Sequence, residues 1–246
     1  MIQMLRDYGS LRVTDASREL GVARSSAHRL LQTLVFRGFA VQDESHVYRP
    51  GPAMGVLPAR LEWTRDLRRL CLPHLEVLSR RTRESANLMI LVERNVRFLV
   101  TVRARTVDST HDRDGVVLPA HEASGGKVLV AELDDASIES TFGGGAVSTA
   151  EYERLLADVR AVRSHGYAVN VEGTERGVAA VGVAIHDRWG VGVGAVSVSM
   201  RADKFAERLA EVLPLLLDCR AQIERDAADV DLASGLRSSG EPQATP

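Results

Sequence analysis

Cysteine is almost missing from this chain. Of 246 residues only Cys71 and Cys219 carry a thiol, and neither belongs to a CxxC pair. A disulfide framework is therefore excluded, and both thiols are expected free in a reducing cytoplasm. Lysine is equally scarce, with Lys127 and Lys204 alone, so nearly all positive charge is arginine. No apolar run approaches the ~20 residues of a membrane span. The opening MIQMLRDYGS lacks a basic stretch followed by an apolar one, so no secretory signal is expected. These absences point to a soluble cytoplasmic protein with no membrane partner.

The motifs of common enzyme chemistry are missing too. Ser124-Gly125-Gly126-Lys127 matches only the end of a phosphate loop, because its first glycine is absent and Val128 stands where Ser or Thr belongs. Gly190, Gly192 and Gly194 alternate along a strand-like run and do not make GxGxxG. His111, Asp112, Asp114, His121 and Glu122 are the nearest approach to a metal set. No pair among them has the HExxH spacing, and a solvated charged loop is the expected reading. No Ser/His/Asp or Cys/His constellation stands out. Neither an enzyme nor a bound cofactor or metal is expected.

What is present is an ordinary globular composition, 45% hydrophobic and 26% charged. The length suits one small module joined to a medium one. The net charge of −2 argues against nucleic acid only when averaged over the chain. Residues 1–55 hold seven arginines against five acids, a net of +2, which leaves −4 to the remainder. Modules of opposite balance suggest different partners.

Periodicity predicts short helices at Ile2–Tyr8 and Thr14–Leu20, then a longer one from Arg24 to Arg37, closed by Gly21 and Gly38. Strand triplets at 39–41 and 47–49 flank the turn Asp43-Glu44-Ser45-His46. Pro50-Gly51-Pro52 punctuates the end of this first module, 1–52. A helical linker is expected over 53–82, kinked or broken at Pro58 and Pro73. Strands at 86–92 and 96–102 follow, with a charged loop over 103–115. Helices fit 120–133, 137–141 and 149–165, strands fit 167–171, 178–186 and 191–200, and a last helix fits 202–226. That order predicts an α+β second domain, 83–228, an antiparallel sheet with packed helices. A Ser-, Gly- and Pro-rich tail over 229–246 is expected to be disordered.

In the third helix, Ala27, Leu30, Leu31 and Leu34 form an apolar stripe expected to face a core. The opposite face holds Ser25, Arg29 and Gln32, flanked by His28 and Thr33, with no acid among them. A face free of carboxylates suits a polyanion. Arginine can pair bidentately with guanine, and glutamine with adenine. Ser17, Gly21, Ala27 and Leu30 have helix-turn-helix spacing, with a small residue where helices cross and glycine in the turn. The following hairpin then serves as a wing. Candidate DNA contacts are Arg24, Ser25, Ser26, His28, Arg29, Gln32 and Thr33 of the helix, with His46 and Arg49 of the wing.

The block LRVTDASRELGVARSSAHRLLQTLVFRGFAVQDESHVYRPGP resembles the winged helix-turn-helix of the IclR family of bacterial transcription regulators. LPAHEASGGKVLVAEL resembles the family's helix entering its effector domain, and HGYAVNVEGTERGVAAVGVAIHDRWGVGVGAVSVSM its most specific stretch. The resemblance spans residues 2–225. It implies a winged DNA-binding domain, a linker helix and a GAF-like effector-binding domain, working as a homodimer or homotetramer on palindromic double-stranded operator DNA and answering to a small-molecule effector.

The family usually carries about ten more residues ahead of this start, forming a fuller first helix, and the resemblance leaves open whether the true N-terminus lies upstream of Met1. Arg12 stands at the usual N-cap of the second helix and the wing turn lacks its glycine. These departures leave an alternative, an effector-binding or assembly protein whose front module binds DNA weakly or not at all. In the second domain, Asn170 matches the family's pocket aspartate, Ala180 its cysteine and Ala184 its proline. Motif match adds Ser124, Gly125, Ser197 and Ser199 to the implied effector site. A pocket with an amide in place of a carboxylate is expected to hold its ligand by neutral hydrogen bonds.

Overall fold

In the computed structural model the described residues are 1–37, 39–43, 45–51, 62–104, 113 and 115–228. They divide into two compact units, one running to Leu67 and the other starting at Arg68.

The first unit holds α1 (Ile2–Tyr8), α2 (Val13–Leu20), α3 (Arg24–Phe36), β1 (Ala40–Gln42) and β2 (Tyr48–Pro50). Gly21 ends α2 at φ 62°, a left-handed conformation that glycine takes without strain. The Ser17 hydroxyl donates to the Val22 carbonyl at 2.7 Å and ties this turn. The small residue buried between helices is therefore Ala16, not Ser17. Arg12 caps α2 without a side-chain hydrogen bond, as its chemistry requires. The core gathers Leu5, Tyr8, Leu11, Ala16, Ala27, Leu31, Ala40 and Tyr48. Leu30 departs from the expected stripe and is 48% exposed. At ~100° per residue it lies ~60° to one side of Ala27, and Leu31 fills the core position on the other side.

The wing is shifted by one residue from expectation, with Ala40 opposite Pro50 and Gln42 opposite Tyr48. The Asp43 carboxylate sets that turn by accepting from the backbone N–H of Ser45 and of Val47, each at 3.0 Å. His46 supplies the left-handed residue of the turn, at φ 58°, where a glycine would be unstrained.

Helix α4 (Glu62–Thr82) runs through Pro73 without breaking. The second unit continues with β3 (Ser85–Val92), β4 (Asn95–Val102), β5 (Val117–Pro119), α5 (Ser124–Ala131), α6 (Asp135–Phe142), α7 (Thr149–His165), β6 (Ala168–Val171), β7 (Val178–His186), β8 (Gly192–Arg201) and α8 (Ala202–Asp226). The sheet is antiparallel in the order β5-β4-β3-β8-β7-β6. Strand β5 was not anticipated, because three residues carry no readable alternation. The expected helix at 120–133 is shorter than its apolar run.

Strands β3, β7 and β8 are buried along nearly their whole lengths. Both faces of the sheet are therefore covered. Helix α5 lies on one face, where Gly182 lets the backbone of Ser124 and Gly125 come close: a Cβ there would stand 3.0 Å from the Gly125 nitrogen. Behind α5, helices α6 and α7 close a core containing Met89, Phe98, Val128, Phe142, Leu155 and Ala195. Helix α8 packs on β7 and β8, burying Val181, Val183, Ile185, Val196 and Val198 of the other face. The Arg208 guanidinium joins α8 to the end of α4, bonding Glu84 at 2.5 Å and the Thr82 carbonyl at 2.8 Å.

Candidate functional site

Helix α3 presents Arg24, Ser25, Ser26, His28, Arg29, Gln32 and Thr33 to solvent. Its sequence, RSSAHRLLQTLVF, holds no carboxylate. Two of these side chains have partners of their own. Thr33 Oγ1 donates to the Arg29 carbonyl at 2.9 Å. Gln32 Nε2 donates to the Tyr48 hydroxyl at 2.9 Å and to Gln42 Oε1 at 3.2 Å, so this amide braces the helix against the wing. On the wing, Arg49 pairs with Asp43 at 3.2 Å, and His46 Nδ1 lies 3.4 Å from Gln42 Nε2. Hydrogen bonds from Val47 and Ser45 and the ion pair with Arg49 hold the Asp43 carboxyl below its ordinary range.

The second unit brings the six implied effector residues to one face of the sheet. Cross-strand partners point to the same side. Asn170 pairs with Ala180, Ala180 with Ser199 and Gly182 with Ser197. Ser124 and Gly125 arrive from α5 above Gly182. Ser124, Asn170, Ser197 and Ser199 are all buried.

Sequence reading missed Asn87, whose place opposite Ser197 puts it on the same face. Its amide nitrogen donates to Ser197 Oγ at 3.4 Å and Ser199 Oγ at 3.2 Å, and its oxygen accepts from Thr101 Oγ1 at 3.1 Å. The signal was a lone amide inside the apolar run ANLMILV, since a buried polar group needs partners. Asn170 is occupied differently. Its oxygen accepts from the Gly173 N–H at 2.9 Å and its nitrogen donates to Thr174 Oγ1 at 3.0 Å, shaping the turn after β6.

Two cavities open near this face. One of about 250 Å³ is lined by His121, Glu122, Lys127, Glu151, Asp158 and Asn170, among others. Of the six implied effector residues, Asn170 is the one shared with that lining. A second, of about 500 Å³, includes Glu132, Arg163, Ala184, His186 and Arg220. His186 bridges Glu132 at 3.0 Å and Glu224 at 3.0 Å, and those bonds raise its pKa to about 9. Of the metal-like set, His121 and Glu122 sit in the turn before α5, whereas His111, Asp112 and Asp114 fall outside the described residues. Residue 52 at the end of the expected first module, residues 53–61 of the expected linker and the expected tail fall outside them as well.

The carboxylate-free α3, its wing and this sheet are matched in known proteins. Residues 2–44 match the IclR helix-turn-helix domain, and residues 63–225 match the bacterial transcriptional regulator IclR C-terminal domain. The chain belongs to the IclR family.

Among its IclR-family relatives, the HTH-type transcriptional regulator XynR of Escherichia coli K12 is 30% identical, over 77% of this chain and 78% of that one. The glycerol operon regulatory protein of Streptomyces coelicolor is also 30% identical, over 88% of each chain. The Thermotoga maritima IclR shares the fold at a TM-score of 0.61 and 22% identity, covering 92% of this chain and 95% of that one. An IclR homolog from Microbacterium hydrocarbonoxydans, crystallised with 4-hydroxybenzoate, shares it at 0.60 and 22%, covering 92% and 98%. The chain is thus a transcriptional regulator with a helix-turn-helix DNA-binding domain and a C-terminal effector-binding domain. Its relatives are named as regulators and not as enzymes. Among the described residues, no helix is long and apolar enough to cross a membrane.

Proposed function

We propose that this IclR-family regulator acts in the cytoplasm and binds palindromic double-stranded operator DNA as a homodimer or homotetramer, with α3 in the major groove. The observation that carries the reading is the exposed face of α3, where Ser25, Ser26, His28 and Arg29 stand free of any carboxylate beside a folded wing. Arg29 reads a base edge, Arg24 and Ser25 meet phosphates at the helix start, and His46 and Arg49 of the wing lie along the backbone. Gln32 and Thr33 flank the base-reading face. A single such helix reaches few bases, and two half-sites multiply specificity, which supports the symmetric oligomer.

The effector is a small molecule held by Ser124, Gly125, Asn170, Ser197 and Ser199, with Ala180 leaving space. Asn87, Ser85 and Thr101 add neutral groups to that face, so uncharged hydroxyls or amides suit it better than an anion. The effector acts through different affinities for the DNA-competent and DNA-incompetent arrangements. Helix α4, shared by both units, carries that difference.

A gel shift with the protein's own upstream DNA, repeated across salt, tests the reading. Sequence-specific retention is expected, falling at least ~tenfold in Arg29→Ala, as loss of a bidentate base contact implies. An Arg29→Ala variant that binds operator like the parent overturns the assignment of the face.

A further inference from the structure

The turn entering α5 and the first turn of α7 meet at the cavity of about 250 Å³. His121 and Glu122 come from the turn, and Glu151 comes from α7. One donor atom from each lies within 4.8 Å of the others. His121 Nε2 is shut off from solvent and has no hydrogen-bond partner. Glu122 Oε1, at 3.9 Å, is too far to bond it. A buried ring nitrogen left unpaired asks for an occupant.

Glu151 is held ready by its capping box. Its Oε2 accepts from the Ser148 N–H at 2.9 Å and from the Ser148 hydroxyl at 2.5 Å, which leaves Oε1 to the cavity. Lys127 pairs with Asp158 at 2.9 Å, and Arg154 Nε donates to the Ala150 carbonyl at 3.2 Å.

We propose that His121, Glu122 and Glu151 form a binding site for a divalent first-row transition-metal ion. One imidazole and two carboxylates, with no thiolate, suit zinc or manganese and balance a charge of two. Tetrahedral bonds of ~2.0–2.2 Å place donors ~3.3–3.6 Å apart, a spacing that small side-chain rotations reach from the present one. Three protein ligands leave further coordination positions open to the cavity, toward Asn170. The ion ties the entry of α5 to the start of α7, elements that sequence separates by about thirty residues. None of the three ligands is an implied effector residue, so the site does not depend on the effector reading.

The full chain, stripped with a chelator, is titrated with zinc by calorimetry and with cobalt by visible absorption. His121→Ala, Glu122→Gln and Glu151→Gln are measured beside it, with circular dichroism as the check on folding. Glutamine at 151 preserves the capping box, and Glu122 is partly exposed, so these two variants keep the fold. One zinc per chain is expected in the parent, with affinity at least ~tenfold weaker in each folded variant. Loss of the cobalt band in His121→Ala identifies the imidazole. A parent that takes up no stoichiometric zinc overturns the site. So do folded glutamine variants that bind zinc like the parent, because the ion then sits elsewhere.

Discussion

The side-chain amide of Asn87 donates to the hydroxyl of Ser199, 3.2 Å away on the adjacent strand, and both residues are buried. The same nitrogen reaches Ser197, and the amide oxygen takes the Thr101 hydroxyl. Two strands that flank β3 are thereby linked through one side chain. Asn87→Ala removes three hydrogen bonds that join β4, β3 and β8. A loss of about 1–3 kcal/mol is expected, read by denaturant unfolding. A variant as stable as the parent shows that the hydroxyls find other partners.

His46 occupies a left-handed conformation that costs a non-glycine residue about 1 kcal/mol. His46→Gly is expected to raise the melting temperature of the DNA-binding unit while weakening operator binding, because the proposed backbone contact goes with the ring. If affinity is unchanged while stability rises, the wing tip does not touch DNA through His46.

The His186 bridge predicts a stability profile in the alkaline range. Its bonds to Glu132 and Glu224 raise its folded pKa from 6.5 to about 9. A group raised on folding stabilises fully below its unfolded pKa, and the effect is lost as pH climbs through the folded one. Melting temperature is therefore expected to fall from about pH 6.5 to about pH 9 in the parent. His186→Gln should flatten that slope. Partial exposure of all three side chains keeps the effect modest. An identical slope in the variant assigns it to other groups.

Gly126 lies inside α5, where alanine would ordinarily favour the helix by about 1 kcal/mol. A Cβ at this position runs into the backbone of Ala120. Gly126→Ala is therefore expected to destabilise by about 1–3 kcal/mol, opposite in sign to helix propensity. A stabilised variant, measured by thermal unfolding, means the turn before α5 yields freely.

Much of the architecture was legible locally. Gly9 and Gly21 end their helices in left-handed conformations, and Ser148 with Glu151 opens α7 by a capping box. The long helices α7 and α8 and strand β7 fall where the apolar pattern places them. Leu30 and β5 escaped it, the one because a helix flank is ambiguous by tens of degrees, the other because three residues show no period. The polar face of α3 was readable as well, since which side chains lie opposite Ala27 and Leu31 follows from helix geometry alone.

Sequence by itself determined the helix-turn-helix and the wing, because each depends on residues a few positions apart. Tertiary structure decided which distant groups meet. Only the order β3-β8-β7-β6 puts Ser85, Ser199, Ala180 and Asn170 in a row across one face. Only the packing of α7 behind α5 brings Glu151 to His121. Pairing register and helix docking are set by the burial of whole faces, and no local pattern records which face will be buried against which.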